Sequence, residues 1–262
     1  MSFFVANNIS AGYGKENILE NISFQLEEGI LMGIIGANGS GKTTLLKALC
    51  GILPHQGTCL LDQTLLEKQS PKQIAKLISY IPQRSGISID ISALDVVLMG
   101  FNPQLGLLEH PTQPMKDAAI TALAQVGLEG KAETNYLHLS EGQKQLCILA
   151  RTLVSSSKLL LLDEPESALD FRFRYQMLAL LRSWVGSGQR SAIVTLHDPS
   201  LALNFCDQLL ILGENGILGI LNPQVEPLEK TEQMLRQVYG NISLLRCQNR
   251  KGESQIVILK EG

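Results

Sequence analysis

Eight consecutive residues, Gly36-Ala37-Asn38-Gly39-Ser40-Gly41-Lys42-Thr43, follow the spacing Gly-x4-Gly-Lys-Thr. Glycines at positions 36, 39 and 41 let backbone N–H groups turn inward and converge on an anion. An apolar run at residues 31–35 precedes this loop and a helical stretch at 44–50 follows it, which adds the positive end of a helix dipole at the same point. Lys42 supplies an ammonium for terminal phosphates and Thr43 a hydroxyl for Mg2+. The residue types at Gly36, Asn38, Gly39, Ser40, Gly41, Lys42, Thr43 and Thr44 therefore predict a nucleotide cradle. Far along the chain, Leu159-Leu160-Leu161-Leu162-Asp163-Glu164 ends an apolar strand in two carboxylates. Open α/β sheets place such strand ends beside the ligand crevice. Side chains alternate across a strand, so the pair can divide its work: Asp163 toward Mg2+ through water, and Glu164 toward an attacking water as general base.

These groups need strands and helices to hold them. Short β-rich runs at residues 3–5, 22–26, 31–35 and 77–81 alternate with turn residues, interrupted by the helix after Gly41. From about residue 91 to 155 the pattern becomes helical: Met115, Ala118, Ala119, Ala122, Leu123 and Val126 share one stripe, with Gly127 as a stop. Apolar runs at 159–162 and 191–195, separated by a helical stretch at 172–185, predict a parallel sheet buried on both faces. Residues 209–262 read as short strands with one helix near 229–239, where Pro223 and Pro227 break longer elements.

Composition sets the outer bounds. At 262 residues, 45% hydrophobic and 18% charged, the chain can bury a core without disulfides or a structural metal. Its five cysteines are scattered and contain no Cys-x-x-Cys pair, which predicts neither a disulfide framework nor a zinc site. A formal net charge of −3 provides no global positive field, so nucleic acid is not expected as a partner. The N-terminal residues carry no basic signal region, and no apolar run approaches the roughly 18 residues that span a bilayer.

With Leu139-Ser140-Glu141-Gly142-Gln143 placed shortly before the carboxylate-tipped strand, the chain resembles an ATP-binding cassette subunit. The resemblance implies an α/β fold: a P-loop nucleoside-triphosphatase core with a mixed sheet, parallel at its centre with antiparallel N-terminal strands, and an inserted helical subdomain. The expected single domain spans 1–262, with the core at 1–85 and 156–262 and the helical subdomain at 86–155. It implies ATP and Mg2+ as ligands, hydrolysis with Glu164, His197 and Gln83 as catalytic residues, and Thr43, Gln83 and Asp163 around the metal. Ser140, Gly142 and Gln143 match the family's signature sequence, whose serine and glycine contact the γ-phosphate held by the opposite subunit of a homodimer. Tyr13 sits where the family stacks an aromatic ring on adenine, and Asp170, in Ser167-Ala168-Leu169-Asp170, matches the D-loop.

Two departures carry expectations. Glu141 replaces the first signature glycine, putting a carboxylate near a triphosphate and adding strain of about 1–2 kcal/mol if the backbone there is left-handed. Leu146 replaces an arginine. Because the chain brings no membrane spans, the resemblance implies that it works on integral-membrane permease subunits, as a homodimer at the cytoplasmic face of the membrane, served indirectly by a solute-binding protein. Leu94 to Gly100 and the run from Thr195 to Ala202 resemble cassettes of importers for siderophores, haem, cobalamin or related oxyanions, although Phe101 stands where those carry arginine. A soluble cassette unconnected with transport, or one serving an exporter, is the alternative.

Overall fold

The computed structural model describes every residue except Met1, Lys15, Arg84, Ser85, Leu107, Asn215 and Gly262, so the subdomain boundary expected at 85 lies outside the described residues. In chain order the elements are β1 (Phe4–Tyr13), β2 (Glu16–Leu26), β3 (Leu31–Gly36), α1 (Lys42–Leu49), β4 (His55–Leu61), β5 (Thr64–Leu65), α2 (Pro71–Leu77) and β6 (Ile78–Ile81). Helices α3 (Ala93–Leu98), α4 (Gln113–Gln125) and α5 (Glu141–Leu153) follow, then β7 (Leu159–Asp163), α6 (Phe171–Val185), β8 (Ser191–Thr195) and α7 (Pro199–Phe205). The chain ends with β9 (Gln208–Gly213), β10 (Gly216–Leu221), α8 (Leu228–Tyr239), β11 (Ile242–Gln248) and β12 (Ser254–Lys260).

The central sheet has the order β10-β9-β3-β8-β7-β6, parallel throughout except for β10 at one edge. Its apolar runs show why sequence periodicity marked them as doubly buried. In β3, Leu31 and Ile35 join the core on the side of the helical subdomain, while Met32 and Ile34 join the core around α1. β7 divides the same way, Leu160 and Leu162 on one side and Leu159 and Leu161 on the other. A strand apolar at every position thus feeds two cores.

The N-terminal strands do not extend this sheet. They form a second, antiparallel sheet in the order β2-β1-β4-β5. Strands joined by a short turn pair antiparallel with each other, and Phe4, Ile9, Leu19 and Leu26 turn one face onto Leu45, Leu46 and Leu49 of α1. α1 is therefore held between two sheets, which fixes the loop at its N-terminus. The β11–β12 hairpin stands apart as a third sheet.

Helices α3, α4 and α5 pack together as the predicted helical module. Gly100 explains part of the Leu94–Gly100 motif: a Cβ there would lie 2.1 Å from the carbonyl oxygen of Arg151, so only glycine lets this segment meet α5. Phe101 and Leu146 are both buried in the same core, apolar where the resemblance led one to expect arginine. Helix α2 was not foreseen, although Ser70-Pro71-Lys72-Gln73 carries a capping-box pattern that the structure realises, with the Ser70 Oγ accepting from the Gln73 N–H and the Gln73 side chain accepting from the Ser70 N–H.

Candidate nucleotide-binding site

The Gly36–Thr43 loop closes between the end of β3 and the start of α1. Gly41 lies at φ 91°, a left-handed conformation open to glycine, and a Cβ there would sit 2.6 Å from Leu19 Cδ2 on β2. The N-terminal hairpin is thereby seated directly against the loop. Lys42 is almost fully buried, and its Nζ donates to the carbonyls of Gly36 at 3.0 Å and Ala37 at 3.1 Å. The ammonium is held over the mouth of the loop by its own backbone. Ser40 is also buried, and its Oγ has no partner among the described residues. An orphaned hydroxyl, glycines at positive φ at 39 and 41 and a captive ammonium fit a phosphate chain. Asn38 and Gly39 are exposed at the loop tip, and Thr44 is buried in the first turn of α1.

Asp163, at the carboxyl end of β7, joins loop and sheet. Its Oδ1 accepts from Thr43 Oγ1 at 3.0 Å and from Thr195 Oγ1 at 2.9 Å, and its Oδ2 accepts from the Tyr80 hydroxyl at 3.3 Å. Burial, with the Asp163 charge beside it, pushes the Tyr80 hydroxyl well above the usual phenol range, so it stays a donor. A hydroxyl and a carboxylate side by side form the hard-oxygen donor set that suits Mg2+. Neither Thr195 nor Tyr80 was singled out from sequence. Their role depends on strand register, Asp163 opposite Thr195 and Tyr80 opposite Leu161, which no local motif discloses.

Glu164 leaves the strand at φ 44°, and its backbone N–H donates to Thr195 Oγ1 at 2.8 Å. A left-handed glutamate is uncommon and costs roughly 1–2 kcal/mol; here it swings the carboxylate away from Asp163 toward Gln83, whose Nε2 donates to Glu164 Oε2 at 2.9 Å. The Gln83 carbonyl in turn accepts from Gln145 Nε2 of α5 at 2.5 Å. Gln83 thus joins the residue after β7 to α5. His197 follows β8 and is exposed; its backbone N–H donates to Glu166 Oε1 at 2.9 Å. Glu166 is buried with its Oε2 unpartnered, and that burial raises its pKa above the ordinary carboxylate value. This acid was missed in the sequence, although the Asp-Glu-Pro-Glu run displays it.

The remaining predicted residues occupy other places. Tyr13 ends β1 half exposed, on a cavity of about 420 Å³ shared with Gly14 and His55. Ser140 caps α5, its Oγ accepting from the Gln143 N–H at 3.3 Å while Gln143 Oε1 accepts from the Ser140 N–H at 3.0 Å. Among the described residues, no hydrogen bond joins residues 140–143 to residues 36–43. Gly142 lies against the Ala168 carbonyl, where a Cβ would approach to 3.2 Å. Asp170 caps α6 by accepting from the Phe173 N–H at 3.0 Å.

Glu141 behaves differently from the expectation. It occupies the first turn of α5 with no positive φ, so the anticipated backbone strain is absent. Its carboxylate pairs with Lys144 Nζ at 2.8 Å and lies at the positive end of the helix dipole.

Residues 19–167 match the family profile described as ABC transporter. The chain is 34% identical over 244 residues to the hemin import ATP-binding protein HmuV of Bordetella pertussis, covering 90% of this chain and 91% of that one. It is 33% identical over 237 residues to YvrA of Bacillus subtilis, an uncharacterised ABC transporter ATP-binding protein; the match takes in 89% of this chain but spans about half of the relative, 53%. Its fold is similar to an inward-facing ABC transporter structure ascribed to the metal-chelate type, with a TM-score of 0.81 and 27% identity, covering 100% of this chain and 99% of that one.

Proposed function

The chain belongs to the ABC transporter family, whose cassettes bind and hydrolyse ATP, and from that premise we propose that it energises import of a metal or metal chelate through separate permease subunits. Similarity to the hemin import subunit and to the metal-chelate-type transporter supports this substrate class. Among the described residues no helix is long and apolar enough to cross a membrane; in this reading partner subunits supply the transport path. A solute-binding protein delivers the cargo in this reading.

The observation that carries the mechanism is Asp163 gripping Thr43, which ties the phosphate loop to the sheet end that presents Glu164. Loop N–H groups, Ser40 and Lys42 hold the β- and γ-phosphates, and Tyr13 stacks on the base. Mg2+ held near Thr43, Asp163 and Gln83 would neutralise charge on the phosphate oxygens. Glu164 accepts the proton of the water that attacks the γ-phosphorus as the bond to the bridging oxygen breaks and ADP leaves. Gln83 relays the state of Glu164 to α5 through Gln145, and His197, Ser140 and Gly142 contact the γ-phosphate, the last two from the opposite subunit of a homodimer. Asp170 orders the approach of that subunit through its cap on α6.

The test is Mg-ATP binding and phosphate release by the wild-type protein and Lys42→Ala, with and without the permease in vesicles. Loss of both activities in a folded Lys42→Ala protein is expected, because the buried ammonium is the charge that faces the phosphates. Unchanged affinity and turnover would remove the site. A wild-type ATPase that responds to the permease but to no metal chelate would keep the transporter and reject the substrate class.

A further inference from the structure

Three metal-ligating side chains meet away from the phosphate loop. His55 opens β4, Cys59 lies further along that strand, and Glu67 sits in the 3-10 turn at Leu66–Lys68. One donor atom from each, an imidazole nitrogen, a thiol sulfur and a carboxylate oxygen, lie within 4.8 Å of one another. No short cysteine or histidine repeat marks them in the sequence. The β4–β5 fold-back alone assembles the group.

The imidazole defines the chemistry. Its Nδ1 faces the Leu53 carbonyl at 3.4 Å and its Nε2 faces Glu67 Oε1 at 3.1 Å. Both partners are acceptors, and a neutral imidazole has one N–H. With that N–H on Nε2 the contact to Glu67 is an ordinary hydrogen bond; with it on Nδ1, facing Leu53, the Nε2 lone pair and the Glu67 oxygen are both free to take one cation. The surroundings match the outer support of metal ligands. A backbone carbonyl orients the histidine, and the Cys59 N–H donates to Glu67 Oε1 at 2.7 Å, orienting the carboxylate.

We infer that His55, Cys59 and Glu67 form a binding site for a borderline-soft divalent cation of the zinc class, held by the imidazole Nε2, the thiolate and the carboxylate. A mixed nitrogen, sulfur and oxygen set favours such an ion over Mg2+ or Ca2+, which take oxygen. Metal bonds of about 2.1 Å to nitrogen and oxygen and 2.3 Å to sulfur give tetrahedral donor separations of about 3.4–3.6 Å. The His55–Glu67 separation of 3.1 Å is close to this, and rotation of side chains brings the sulfur the remaining distance of at most about 1 Å. A cavity of about 640 Å³, lined by His55 and Glu67 among apolar neighbours such as Leu53 and Ile74, gives access and leaves a fourth position for water. His55 pairs with Ala11 of β1, two residues before Tyr13, so an ion bound here would brace the strand that carries the base-stacking ring. The inference is independent of the transported substrate.

The test uses the purified full-length chain without nucleotide, stripped with a chelator and titrated with Co2+ and then Zn2+. One Co2+ per chain with a thiolate-to-metal charge-transfer band, displaced by Zn2+, is the expected result. Cys59→Ser should abolish the band; Glu67→Gln, which removes a direct ligand, should weaken binding by more than the roughly 10–100-fold typical of losing an outer partner. His55→Gln, at a position less deeply buried than Cys59, guards against misfolding of the cysteine variant and should also weaken binding about tenfold or more, with an unchanged circular dichroism spectrum. Cys50→Ser and Cys247→Ser should leave the band intact. No stoichiometric band in the wild-type protein, or a band that follows Cys50 or Cys247, would overturn the site and leave a plain His55–Glu67 hydrogen bond in its place.

Discussion

Replacing Glu164 by glutamine separates shape from basicity at the proposed reacting water. The amide is isosteric, and its oxygen can still accept the hydrogen bond that Gln83 Nε2 gives Glu164 Oε2 at 2.9 Å. Exchanging a charged for a neutral acceptor costs about 1 kcal/mol in that contact, so the protein should remain folded with Gln83 in place. The glutamine inherits the same φ of 44°, hence the same backbone strain, and the comparison isolates the carboxylate. A general base contributes about 10²–10⁴-fold in rate, equivalent to about 2.7–5.4 kcal/mol of barrier. Single-turnover phosphate release should slow by that factor while Mg-ATP affinity stays within about fivefold, the equivalent of that 1 kcal/mol. Gel filtration with ATP should show the variant accumulating as a dimer. Glu164→Gly supplies a second arm: relief of about 1–2 kcal/mol of strain, less about 0.4–1 kcal/mol for the more flexible unfolded chain, should make it slightly more stable and just as slow. Phosphate release within threefold of wild type in the glutamine variant would place the base elsewhere. A variant that stays monomeric under saturating ATP, with or without the permease, would refute the shared site.

Glu166 predicts a pH effect. Its carboxyl is raised by burial, so the folded state holds the proton more tightly than the unfolded chain; the stability this confers is complete below the unfolded value and lost as pH rises through the folded one. Glu166→Gln should therefore gain urea resistance relative to wild type as pH rises above the ordinary carboxylate range, and a pH-independent difference would contradict the assignment. Glu141→Gly should lower stability by about 1–2 kcal/mol through loss of the Lys144 pair, the dipole contact and helix propensity, seen as a drop of a few degrees in melting temperature. The same change leaves Lys144 unpaired at the helix start, so ATP-dependent dimerisation should strengthen; weaker dimerisation would show that the phosphates lie elsewhere. Tyr13→Ala should weaken ATP and GTP binding alike in a fluorescence titration, because stacking reads a π surface and not a hydrogen-bond pattern.

Local chemistry made much of this protein legible from its sequence. The strand-loop-helix around Lys42 is specified within a few residues, because glycine permissiveness, an apolar run and a helix start are local properties. The leucine run ending in Asp163 announced a doubly buried strand for the same reason, and its two-sided burial follows from side-chain alternation alone. Capping signals were equally readable, including the Ser70 box that went unused. What the tertiary structure decided involves residues far apart in the chain. Thr195 and Tyr80 reach Asp163 only because β8 and β6 adopt a particular register beside and near β7. Lys144 neutralises Glu141 because residue 141 turned out to begin a helix and so lies one turn away. The His55, Cys59 and Glu67 cluster depends on β4 folding back through β5, a contact set by hydrogen bonds between strands. Sequence spacing encodes periodicity within an element, whereas register between elements is selected by packing of both cores at once, and that selection is where these partners were chosen.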